Sequence, residues 1–184
     1  MVEFWNATFL NFQLVSQLFF QTFMNSLLRP YAPTDKESCL TAFKSNVPVF
    51  FTEDEIIDFS NFLDSLPRRF AENSTHYYVI LVDDQIVGAG GFGDKDNTGS
   101  LSLAWGLVHN DHHKKGYGEA LLKHRLDEIR RLYPSKTLVL DTTQHSYTFF
   151  EKYGFEVTKF TADFYEKGMH RYDMILTTNS GTTD

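Results

Sequence analysis

A chain of 184 residues has room for one hydrophobic core and would cramp two, so a single domain is the starting point. With 42% hydrophobic and 22% charged residues, collagen-like, wholly disordered and multi-span membrane classes are excluded. The net charge of −7 argues against a nucleic-acid or anionic-membrane partner and suits a cationic one such as an amine; the single cysteine excludes an internal disulfide and a multi-thiolate zinc site and fits the cytoplasm.

Residues 1–23 hold six of the 18 phenylalanines, and no charge lies between Glu3 and Arg29. A signal peptide would want a basic start, and a membrane span would want an unbroken apolar run; Asn11, Gln13, Gln17 and Gln21 interrupt this one. Trp5, Phe9, Phe12, Val15, Phe19 and Phe23 recur at helical spacing, which predicts an amphipathic N-terminal helix over 1–26. Met24 is an alternative start, with the domain proper spanning 27–178 and a frayed tail over 179–184.

Residues 27–31 read as a short strand. Thr34 to Glu37 forms a capping box opening a helix to about Asn46, with Cys39, Leu40 and Phe43 inward. Thr52 to Glu55 is a second box, opening a helix whose Ile56, Phe59, Leu63 and Leu66 keep the 3.6 period until Pro67. The period then becomes that of strands. His76 to Val82 and Ile86 to Phe92 form a hairpin about Asp83-Asp84-Gln85, and Leu101 to Val108 is a third strand. A helix from about Gly116 to Leu132 turns Ala120, Leu121, Leu126 and Ile129 inward, with Lys123, Arg125, Arg130 and Arg131 in solvent or near its end. Lys136 to Thr142 is a strand, Ser146 to Tyr153 a short helix ending at Gly154, and two strands follow, Phe155 to Phe160 and Arg171 to Thr177. This order predicts an α+β domain with a mixed, mostly antiparallel central sheet flanked by helices.

The segment from Leu107 to Gly118 joins a strand to a helix. Gly116 and Gly118 leave amides open at the helix N-terminus, and Lys114 and Lys115 add positive charge in an acidic chain, a combination that attracts phosphate. An ordinary strand-to-helix turn is the plainer reading of the same glycines. Neither the P-loop pattern nor the dinucleotide fingerprint occurs here.

His113-Lys114-Lys115-Gly116-Tyr117-Gly118 resembles the central Q/R-x-x-G-x-G/A motif of the GNAT superfamily of acyl-CoA-dependent N-acyltransferases, with His at the first position. The stretch from Thr143 to Phe155 resembles that family's second motif: Glu-Lys-x-Gly-Phe is intact, Ser146 stands for the small residue and Thr143 for Asn. The element order over about 27–178 is also the family's.

The resemblance implies strands Leu101–Val108 and Lys136–Thr142 that splay apart, with pantetheine pairing to the backbone at Leu107 and Val108. It implies a pyrophosphate on the amides of Lys114, Lys115, Gly116, Tyr117 and Gly118, with His113, Thr143, Ser146 and Phe150 completing the acetyl-CoA site. The implied activity is acetyl transfer to an amine by direct attack. In the family a tyrosine of the second motif often protonates the leaving thiolate, but Phe150 holds that position. Tyr147 and Tyr153 flank it and are the candidate catalytic acids, with core packing as the alternative for each. Some relatives carry a Glu where Ser102 stands, so no base is legible on that strand. A coenzyme A sensor without catalysis is the rival reading.

His109, His112 and His113 crowd one tight connection with no completing ligand, so no metal is expected. Phe50, Phe51, Tyr77, Tyr78, Trp105, Phe164 and Tyr165 are candidates for an acceptor-pocket wall, although core burial accounts for most. The expected partners are a small-molecule or peptide amine and a second copy of the chain as a homodimer, with no nucleic acid and no membrane.

Overall fold

The computed structural model of the chain describes residues 26–94 and 99–177. The N-terminal helix, the start at Met24 and the tail expected from the sequence lie outside the described residues.

Seven strands form one sheet in the order β1-β2-β3-β4-β5-β7-β6. β1 (Ser26–Pro30), β2 (Thr75–Val82), β3 (Gln85–Asp94) and β4 (Leu101–Val108) follow one another as antiparallel neighbours. Asp83 and Asp84 both sit at positive φ, 49° and 61°, the twist that a two-residue hairpin between β2 and β3 requires. A crossover through α3 (Tyr117–Leu132) then places β5 (Leu138–Thr142) parallel to β4. β6 (Glu156–Glu166) and β7 (Met169–Leu176) form a long hairpin whose β7 pairs with β5.

Alternation along the strands gives the sheet two apolar faces. Tyr77, Val79, Ala89 and Leu107 point to one side, where α1 (Lys36–Lys44) and α2 (Glu55–Ala71) contribute Cys39, Phe43, Phe59, Leu63 and Leu66. Tyr78, Phe92, Leu138, Leu140 and Met174 point to the other, against Leu121, Leu122, Leu126 and Ile129 of α3. The short helix α4 (Tyr147–Glu151) follows β5 and packs Phe149 and Phe150 on this second core. β2 is buried on both faces, which is why it reads as a continuous apolar run.

Three expectations are corrected. The first concerns the start of α1. Pro33 fixes helical φ one residue early and opens a 3₁₀ turn over Pro33–Asp35, so Thr34 falls inside the turn and does not cap. The capping group is the Asp35 carboxylate, which accepts the Ala32 amide at 2.8 Å and the Arg29 guanidinium at 2.6 and 2.9 Å.

The second concerns Pro67, which lies inside α2 rather than ending it. Proline removes one N–H bond, and side chains carry the helix through: Arg69 Nε donates to Ser65 Oγ at 2.8 Å, and Phe70 packs edge-on against Tyr31. At the other end of α2, only half of the second box forms, with Glu55 Oε2 accepting from the Thr52 amide at 2.8 Å and its hydroxyl at 3.2 Å.

The third concerns Arg125, expected in solvent and found buried at 3% exposure on the inner face of α3.

Candidate active site

β4 and β5 touch only at their starts, through the register pairs Leu101 with Leu138 and Ser102 with Val139. Past Ser102 they part, leaving one edge of β4 without a neighbouring strand, as the splayed-strand expectation requires. The His109 amide donates to Val87 O at 2.7 Å. By alternation Leu107 also faces β3, which it opposes at Ala89, and Val108 faces away toward the gap. The two expected pairing residues therefore divide: Val108 presents backbone to the gap, whereas the backbone of Leu107 is committed to β3.

The Val108 carbonyl accepts two side chains, Asn46 Nδ2 at 2.9 Å and His113 Nε2 at 2.9 Å. The Val108 amide is the group left to pair with an extended ligand. Asn46 is 4% exposed and also donates to Ala42 O, while Ser45 Oγ accepts the Asn110 amide at 2.9 Å. The C-terminus of α1 is thereby stitched to the loop that follows β4.

That loop turns through a 3₁₀ segment at Asn110–His112, with Lys114 at φ 59° and Gly116 at φ 87°. Gly116 is the N-cap of α3, and no side chain caps the helix. The first amides, at Tyr117, Gly118 and Glu119, have no intrahelical acceptor and carry the positive end of the helix dipole. At Gly118 a Cβ would meet only Val108 Cγ2, at 3.7 Å, so the absent side chain leaves open room rather than relieving a clash. The residues present therefore fit a pyrophosphate: open amides, open space and two lysines just upstream. The His113 ring is turned inward to Val108 and to Phe50, edge-on at 5.2 Å, and acts as a brace.

Beyond β5, Thr143 is buried and its Oγ1 accepts the His145 amide at 3.4 Å, while Ser146 is the N-cap of α4. Phe150 packs edge-on between Phe149 and Phe155 and brings no hydroxyl to this wall. The ring of Tyr147 stacks on Tyr172 of β7 at 4.3 Å, with planes 3° apart. Tyr153 faces α3: burial and a hydrogen bond to Glu119 raise its pKa. Phe50 meets both His113 and His145, at 5.2 and 5.5 Å, and so spans the two motif loops from the α1–α2 side.

On that side a polar group lies outside the motifs. Tyr165 of β6 donates to Asp141 Oδ2 of β5 at 2.8 Å, and Arg171 of β7 pairs with Asp141 at 3.4 Å and Asp173 at 2.6 Å. Burial raises the pKa of Glu55 against the pull of its Thr52 bonds, and Asp141 adds to the rise; burial and then Asp141 raise Tyr165. Of the proposed wall aromatics, Phe51, Tyr77 and Trp105 belong to the α1–α2 core and Tyr78 to the α3 core, while Phe164 lies exposed under the Arg171 guanidinium at 4.7 Å. Trp105 holds φ 40° in a bulge of β4 opposite Gly90, and its carbonyl accepts the Tyr77 hydroxyl at 3.0 Å.

Sequence reasoning missed Asn46, Glu55, Asp141 and Arg125. Only Arg125 left a signal, because Leu121, Arg125 and Ile129 are successive i, i+4 positions on the core line of α3.

Residues 50–178 match the family model described as an acetyltransferase (GNAT) domain. Among solved structures, the fold is similar to a GNAT-family protein from Desulfovibrio desulfuricans, 23% identical, with 83% of this chain and 99% of that chain covered and a TM-score of 0.71. It is similar to the ribosomal-protein-alanine N-acetyltransferase from Brucella melitensis, at 18% identity, 82% and 99% coverage and a TM-score of 0.69. It is also similar to yncA from Salmonella typhimurium, solved with its cofactor acetyl-CoA, at 20% identity, 87% and 98% coverage and a TM-score of 0.70. No curated protein sequence matches the chain. These identities speak for the fold, whereas the family model speaks for the sequence itself. Because the matched stretch runs from the α1–α2 connection through both motif loops to the end of β7, the chain belongs to the GNAT family of acetyltransferases.

Proposed function

We propose that this protein transfers the acetyl group of acetyl-CoA to an amine by direct attack. The observation that carries the reading is the freed edge of β4 running into the uncapped start of α3, where Gly118 leaves space beside open amides. Tyr117, Gly118 and Glu119 offer N–H groups to the pyrophosphate, Lys114 and Lys115 add charge, and the Val108 amide offers the one strand-like bond to pantetheine. Acetyl-CoA would supply an acetyl group activated as a thioester.

The acceptor side is the face of α1 and α2. Glu55, with its pKa raised by burial, is suited to take a proton from an approaching ammonium, and Asp141, held by Tyr165 and Arg171, adds negative charge for a cation. The net charge of −7 favours encounter with such an acceptor, a small-molecule or peptide amine. Of the two candidate acids, the Tyr153 hydroxyl is tied to Glu119 of α3, which leaves Tyr147, the first residue of α4, as the one taken to give a proton. A cytoplasmic location is part of this reading, supported by a free, buried Cys39. Among the described residues no helix is long and apolar enough to cross a membrane.

The test is thiol release from acetyl-CoA across a panel of polyamines, aminoglycosides and peptides with free N-termini. Acceptor-dependent release with at least one class is expected. Tight acetyl-CoA binding with no release from any class would replace this reading with that of a sensor, in keeping with Phe150.

A further inference from the structure

Arg125 is a buried cation with no acid beside it. Its Nε donates to Leu121 O at 3.2 Å and its Nη1 reaches Gly91 O at 3.5 Å, both carbonyls. Among the described residues no carboxylate pairs with it. Burial lowers its pKa to about 10, and the one group acting against that is Tyr77. Isolating a charge in this way is costly, and proteins rarely do so without a partner.

The sheet is shaped to receive it. Gly90 of β3 and Gly106 of β4 lie opposite each other across the bulge at Trp105, and a Cβ on either would stand 3.0 Å from Nη1. The guanidinium therefore lies against the sheet at Gly106 of β4, two residues from Val108, on the strand whose outer edge β5 has left. A cation seated there, charged at neutral pH and unpaired, calls for an anion that arrives with the ligand.

We propose that Arg125 is the counter-charge for the sulfur of coenzyme A, a positioning residue that stabilises the departing thiolate across the Gly106 peptide. The inference rests on the acetyl-CoA reading above. In the transfer, the amine nitrogen bonds to the acyl carbon, the carbon–sulfur bond breaks with its electron pair passing to sulfur, and the amine proton goes to water. Arg125 keeps its own proton throughout. It supplies by charge what Phe150 cannot supply by proton donation.

The experiment compares the binding of coenzyme A and desulfo-coenzyme A to the full chain by calorimetry at pH 7, 8 and 9. Tyr77 of β2 is the titratable group that acts on Arg125; the surrounding elements also carry His76 and Tyr78 of β2, Tyr117, Glu119, Lys123, His124, Asp127 and Glu128 of α3, Tyr147 and Glu151 of α4, Tyr153 after it, and His113, Lys114 and Lys115 ahead of α3. All meet both ligands, so their titration cancels in the affinity ratio. A bound thiol whose pKa lies below that of the free ligand makes the ratio rise with pH, by at most about tenfold per unit of lowering. A several-fold rise between pH 7 and 9, as about one unit of lowering gives, is expected in the wild type, retained in large part by Arg125→Lys and lost in Arg125→Met. Gly106→Ala, whose methyl would press on Nη1, should blunt it and serves where Arg125→Met does not fold. A flat wild-type ratio, or a rise that survives in Arg125→Met, overturns the proposal. Failure of both ligands to bind overturns the acetyl-CoA reading itself.

Discussion

Replacing Gly118 with glutamate separates folding from cofactor binding. The residue is the second of α3, its φ lies outside the left-handed region, and a Cβ there would make one ordinary contact, 3.7 Å from Val108 Cγ2. Glutamate is a better helix former than glycine by about 0.5–1 kcal/mol in a helix interior, and a carboxylate in the first turn gains roughly 0.3–1 kcal/mol from the dipole. Stability should hold or rise, by about 2–4 °C for each kcal/mol gained in a domain of this size. The proposed ligand responds in the opposite way. Two phosphate charges bound at these amides, taken at about 5 Å from the new carboxylate, would repel it by about 1.7 kcal/mol at the dielectric of water and weaken binding about 20-fold, and a lower local dielectric would enlarge the loss. Thermal unfolding and acetyl-CoA titration of the wild type, Gly118→Glu and Gly118→Gln are the assays. The glutamate deficit should shrink at 1 M salt, where screening acts within about 3 Å, and the neutral glutamine should lose less. A folded Gly118→Glu protein that binds acetyl-CoA within twofold of the wild type would refute the cradle assignment.

Asp35 has its pKa lowered chiefly by Arg29, so its contribution is complete above the unfolded carboxylate value near 3.9 and is lost as pH falls through the depressed folded value. Asp35→Asn should cost about 2 kcal/mol at pH 7 by denaturant unfolding, with the gap to the wild type closing only at strongly acid pH; a gap that persists there would disprove the ionic origin. At Gly91 a Cβ would run into His76 O of the paired strand, so Gly91→Ala should fail to yield soluble folded protein, and a well-folded variant would mean the β2–β3 register is wrong. Burial raises the Cys39 thiol to about 12, so one thiol per chain should react with a disulfide reagent at pH 8 only upon unfolding, and prompt native-state labelling would contradict its place in the core.

The elements were legible because local signals and the global fold agree. The Asp83-Asp84 turn, the 3.6 period of α2 and α3, and the glycine closing the second motif each specify one conformation; Gly154 takes φ 86° in the turn after α4, although the helix itself ends earlier than expected, at Glu151. What local pattern did not settle was competition between neighbours. A proline at the first position outbid a threonine for the start of α1, and packing of Phe70 on Tyr31 outweighed a proline inside α2. The proposed cofactor half of the site could be read for the same reason as the fold: the features it rests on are backbone features, glycines at fixed spacing at the start of α3.

The proposed acceptor half and the buried cation were hidden because long-range pairing builds them. Asn46 meets Val108 across 62 positions and Tyr165 meets Asp141 across 24, distances over which one sequence carries no pairing signal. Arg125 is the sharper case, since its position on the line of Leu121 and Ile129 says core while its charge says solvent, and the usual scarcity of buried arginine favours the wrong answer. What reverses it is the pair of glycines at 90 and 106, whose missing side chains become meaningful only when the sheet brings them together under one guanidinium. Two strands have lost side chains and one helix has spent a core position to keep a charge in that recess. Such an arrangement weakens the core it occupies, so its reason is to be sought in the gap beside it, where the proposed transfer would put negative charge on sulfur.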